Sequence, residues 1–78
     1  MIFDKLVAIM AEQLGVNAQD ISMDTILRDD LAVDSLDLYN LGMVLEEEFN
    51  IELPQEDMND IETVEDVVKI LKELGVEE

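Results

Sequence analysis

The chain has 78 residues, of which 49% are apolar; 21 acidic residues face 4 basic ones, for a net charge of −17. This is room for one small domain, with a core of Leu, Ile, Val and Met because only Phe3, Tyr39 and Phe49 are aromatic. The lack of Cys and His excludes disulfides, thiolate and imidazole metal sites and the Ser–His and Cys–His nucleophile pairs, while the acidity repels nucleic acid and anionic lipid and attracts basic protein patches.

Phe3, Leu6, Val7, Met10 and Leu14 recur at spacings of three and four. They predict a helix from about Ile2 to Leu14, closed by Gly15 in a left-handed cap. The apolar run from Leu6 to Met10 is too short to span a bilayer and lacks signal-peptide flanks, so a soluble, cytoplasmic chain is expected. Residues 16–34 are irregular and rich in turn formers: Asn17, Asp20, Ser22, Asp24, Asp29 and Asp30. A long loop is predicted there, holding a short helical turn and pinned to the core by Ile21, Ile26, Leu27, Leu31 and Val33. Irregular stretches of about twenty residues in a compact domain tend to be functional.

The next helix is predicted from about Ser35 to Phe49. Leu38, Leu41, Leu45 and Phe49 make its apolar stripe, which Leu36, Tyr39, Met43 and Val44 widen. Asp34 or Ser35 can supply the capping oxygen. Gly42 is costly in a helix interior and would permit close packing of a neighbour that the sequence does not name. Pro54 can open a helix at its first position, so Gln55 to Asp60 is read as a short helix or turn. Thr63-Val64-Glu65-Asp66 has the form of a capping box. A last helix follows, with Val64, Val67, Val68, Leu71 and Leu74 inward and Gly75 at its end. The prediction is an all-α single domain over 1–78: a small four-helix bundle with three long helices and one short.

The stretch Asp30-Leu31-Ala32-Val33-Asp34-Ser35-Leu36-Asp37-Leu38 places a hydroxyl at a helix start after a long loop. Free N–H groups and the positive end of the dipole favour an attached phosphate there. The spacing alone leaves a plainer role open, since Ser at a helix start is commonly just a cap.

This stretch resembles the Asp-Leu-Gly-x-Asp-Ser-Leu signature of the acyl carrier protein family, and the resemblance runs over nearly the whole chain. Thr25-Ile26-Leu27, Leu45-Glu46-Glu47-Glu48-Phe49, Leu53-Pro54 and Ile61-Glu62-Thr63-Val64 follow in the family's order and spacing. The resemblance implies a 4′-phosphopantetheine arm on Ser35, between Asp34 and Leu36. A phosphopantetheinyl transferase would install it from coenzyme A, and its thiol would carry acyl groups as thioesters. Ser35 would thus be a substrate, and no catalytic or metal-binding residue is expected. The resemblance also implies docking through Asp37, Tyr39, Met43, Glu46, Glu47 and Asp57 onto basic patches of fatty acid synthase and acyltransferase enzymes. Leu45, Phe49, Ile61, Val67 and Leu71 are candidates to line a shelter for the acyl chain, though ordinary packing explains each singly.

Two positions depart from the family. Ala32 stands where Gly is usual, so the loop is expected either to take a different path or not to need a positive φ there. Asn40 stands where many bacterial carriers have Glu on the second helix. The size and acidity favour a monomeric carrier of fatty acid synthesis over one for polyketide, non-ribosomal peptide or aminoacyl transfer. An acidic calcium-binding module fits less well, because no window starting at Asp24, Asp29, Asp30 or Asp57 has the ligand spacing of an EF-hand loop.

Overall fold

The computed structural model describes residues 1–77, whose elements are all helices joined by loops. Helix α1 (Ile2–Leu14) buries Ile2, Leu6, Val7 and Met10, and Gly15 ends it at φ 68°. That left-handed conformation costs Gly nothing, because it has no Cβ to meet the following carbonyl.

Residues 16–34 hold a 3₁₀ turn (Ala18–Asp20) and a five-residue helix, α2 (Leu27–Leu31). The bundle therefore has two short helices, where one was predicted. Helix α2 buries only Leu27, so it has no periodicity from which to read a helix. Ile21, Leu27 and Val33 are buried as predicted, but Ile26 is exposed. Backbone pairing supplies the rest of the anchorage. Leu27 N–H donates to the Glu62 carbonyl at 2.9 Å, Val64 N–H to that of Thr25 at 3.0 Å, and Glu65 N–H to that of Met23 at 3.0 Å. An isolated antiparallel bridge joins Ile26 to Thr63. The loop thus satisfies its polar backbone against the connection before the last helix.

Helix α3 (Ser35–Phe49) buries Leu41, Gly42 and Leu45, with Leu38 and Phe49 half-buried beside them. The predicted widening of this stripe fails at three of its four residues, Val44 alone being half-buried. Leu36, Tyr39 and Met43 are 66%, 61% and 52% exposed. The element beside that flank, α4 (Gln55–Asn59), is five residues long and too small to cover it. Pro54 is the cap of α4, not its first residue; its carbonyl accepts from Asp57 and Met58 at 3.1 and 3.3 Å.

Helix α5 (Val64–Glu73) begins with the predicted capping box. Thr63 Oγ1 accepts from Asp66 N–H at 3.2 Å, and Asp66 Oδ2 accepts from Thr63 and Glu62 N–H, both at 3.0 Å. The Thr63 and Glu62 donors hold the Asp66 carboxyl below its ordinary range. Val64, Val67, Val68 and Leu71 complete one core with α1 and α3. No helix among the described residues is long and apolar enough to cross a membrane.

Candidate functional site

The start of α3 separates the two roles that the sequence left open for Ser35. Asp34 is the cap: its Oδ1 accepts from Asp37 N–H at 2.8 Å, and Asp37 Oδ2 accepts from Asp34 N–H at 3.3 Å. Ser35 is the first helical residue, is exposed, and its hydroxyl has no hydrogen bond among the described residues. The N–H groups of Ser35 and Leu36 are unpaired in the same sense, leaving two donors and the positive dipole end next to a free hydroxyl. A phosphodiester on Ser35 Oγ fits this arrangement, because it displaces no capping contact.

The loop leading in keeps a left-handed turn. Ala32 caps α2 at φ 55°, ψ 36°, so the expectation that no positive φ is needed there does not hold. The backbone takes positive φ with an Ala in place, at a cost of about 1–2 kcal/mol against a right-handed conformation. The turn lets both Ala32 and Val33 N–H donate to the Leu27 carbonyl.

From Ser35 a cleft of about 280 Å³ runs along α3. Its α3 wall is Ser35, Leu38, Tyr39, Gly42, Met43 and Glu46, which is one face of a helix. Leu53, Met58 and Ile61 supply apolar surface opposite. Arg28 and Asn59 also line it, and both are shared with a neighbouring hollow of about 300 Å³ beside Asp34. Of the five predicted lining residues only Ile61 reaches the cleft. Leu45, Val67 and Leu71 are fully buried core, and Phe49 packs on that core. All four belong to the core that α1, α3 and α5 share.

Gly42 has the neighbour its position implied. A Cβ built there would lie 2.6 Å from Met58 Cε and 3.1 Å from Sδ. Composition and spacing gave no pointer to Met58, because α4 has too few residues to show a face.

The candidate docking residues lie along the same flank. Tyr39, Met43 and Glu47 follow at spacings of four and are exposed, as is Asn40. Asp57 on α4 is half-buried. Asp37 and Glu46 also have structural duties. Asp37 belongs to the cap, and Glu46 Oε2 accepts from Leu53 N–H at 2.8 Å, which ties the loop before α4 to α3.

Residues 4–71 match the family described as the phosphopantetheine attachment site. The acyl carrier protein of Clostridium acetobutylicum is 47% identical over 72 residues, covering 92% of this chain and 94% of that protein. Among solved structures, a candidate acyl carrier protein of Mycobacterium tuberculosis superposes with a TM-score of 0.86 at 32% identity, over 92% of this chain and 96% of that one. The acyl carrier protein of Thermotoga maritima superposes with a TM-score of 0.81 at 26% identity, over 94% and 85%. The chain belongs to the acyl carrier protein family, and its cofactor is covalently bound 4′-phosphopantetheine.

Proposed function

We propose that Ser35 is the residue that bears the 4′-phosphopantetheine arm, and that the chain presents acyl thioesters to enzymes of fatty acid synthesis. The observation that carries this is the division of labour at the start of α3. Asp34 and Asp37 do the capping, and the Ser35 hydroxyl stays exposed and without a partner among the described residues. The arm supplies the thiol that the sequence lacks. The residues of the chain do the rest. Ser35 Oγ would hold the arm as a phosphodiester, formed as the pyrophosphate link of coenzyme A breaks, its nucleotide part leaves and the hydroxyl proton passes to a transferase; the Ser35 and Leu36 N–H groups would be donors beside it, and Asp34 fixes the helix start. The chain itself performs no catalysis.

The partner-facing surface is the open flank of α3. Leu36, Tyr39 and Met43 form an apolar line there, and Asp37, Glu46, Glu47 and Asp57 surround it with negative charge. A partner with a basic patch meets a complementary field, which speeds encounter more than it tightens binding. The apolar walls of the cleft suit an aliphatic cargo, which favours fatty acid synthesis; the chain is read as a cytoplasmic monomer.

The test is intact mass after incubation with coenzyme A, Mg²⁺ and a broad-specificity phosphopantetheinyl transferase, for wild type and Ser35→Ala. Wild type should gain one phosphopantetheine and the variant none. A wild type that gains nothing, while a control carrier is modified, removes the proposal.

A further inference from the structure

We infer that the end of the Met58 side chain is a movable stop that sets how long an acyl chain the cleft shelters, an inference that rests on the arm at Ser35 proposed above. It begins at Gly42. This residue is buried inside α3 with ordinary helical backbone, so no turn and no positive φ asks for Gly there. What asks for it is Met58, whose Cε and Sδ occupy the place a side chain would take. Both residues line the cleft, so their contact lies across it.

The position along the cleft follows from helix geometry. Gly42 is seven residues beyond Ser35, or about 10 Å along the axis of α3. The lining of α3 continues past it to Glu46. A chain that fills the cleft must therefore pass over Gly42, where the thioether now rests.

Little holds the thioether in place. Met58 is half-buried, and its helix is five residues long, has no side-chain cap and contains no buried residue. The side chain is unbranched and flexible, and it can swing without moving backbone. The occupant this wall fits is an unbranched, uncharged hydrocarbon. Leu38, Met43, Leu53 and Ile61 are its apolar contacts. Chains that end short of Met58 are sheltered as the cleft stands. Longer ones must displace the thioether or leave their ends in water.

The experiment loads wild type and Met58→Ala with saturated acyl groups of increasing length, checks each by intact mass, and measures its melting temperature relative to the unacylated arm-bearing form. For wild type, the melting temperature should rise with length and then level off. For Met58→Ala, which lacks Cγ, Sδ and Cε, levelling should come about two carbons later. Levelling at the same length in both proteins overturns the inference and places the chain elsewhere, such as the neighbouring hollow. A second readout needs no variant. The Met58 methyl signal of the wild type, labelled with ¹³C at the methionine methyls, should move on loading chains near the levelling length. A methyl signal unchanged at every length also overturns it. Failure to gain any arm removes the carrier reading, and this inference with it.

Discussion

Replacing Ala32 by Gly should stabilise the protein. Ala32 is exposed and sits at φ 55°, so its methyl group buries nothing that Gly would lose. An L-residue in that conformation is strained by about 1–2 kcal/mol, which Gly escapes. Gly also frees the unfolded chain, which offsets about 0.4–1 kcal/mol of the gain. The net expectation is a stabilisation of about 0.5–1 kcal/mol, or a rise in melting temperature of roughly 2–8 °C for a domain of this size. The assay is thermal and urea unfolding of the unmodified protein at one salt concentration, with Ala8→Gly as the control. Ala8 is exposed in the interior of α1, where the same change should cost about 1 kcal/mol. Opposite signs at the two positions confirm that φ decides the outcome. A melting temperature for Ala32→Gly at or below that of wild type refutes the reasoning, because the positive φ would then carry no strain.

The net charge of −17 should make the fold sensitive to ionic strength, since self-repulsion is screened within about 10 Å at 0.1 M salt. Calorimetry from low to moderate salt should show a rising melting temperature, and a flat one contradicts this. A pH dependence follows from Asp66, whose carboxyl is held below its ordinary range by the Thr63 and Glu62 N–H groups. A lowered folded pKa gives stability that is present in full above the unfolded value, about 4, and is lost as pH falls through the folded one. Wild type should thus exceed Asp66→Asn in urea denaturation at neutral pH, with the gap closing below about pH 4. A gap of the same size at pH 3 and pH 7 rules out the carboxylate as its source.

The three long helices were legible because each repeats apolar residues at three and four over ten or more positions, a spacing that only a helix with one buried face explains. Helix α2 was not. It has one buried residue, Leu27, and it is held by hydrogen bonds from residues 23–27 to residues 62–65, partners too far apart in sequence for any local pattern to join. At the site, the sequence pointed to Ser35, but left Asp34 and Ser35 as equal candidates for the cap. Either oxygen is chemically able to cap, and only the backbone path decides which one reaches the Asp37 N–H.

The inward stripe of α3 was legible in Leu38, Leu41, Leu45 and Phe49, and its outward flank was misread. Leu36, Tyr39 and Met43 are apolar, and apolarity alone cannot tell a residue facing a core from one facing an uncovered side. That answer depends on how far α4 extends, as does the filling of Gly42's empty place by Met58. What the sequence by itself determined was what short-range repetition and ordered motifs can encode: the spans of the three long helices, the capping box of α5, the net charge and the candidate hydroxyl. What only the tertiary structure decided was which surfaces are covered and by what, because burial is a property of pairs of distant segments.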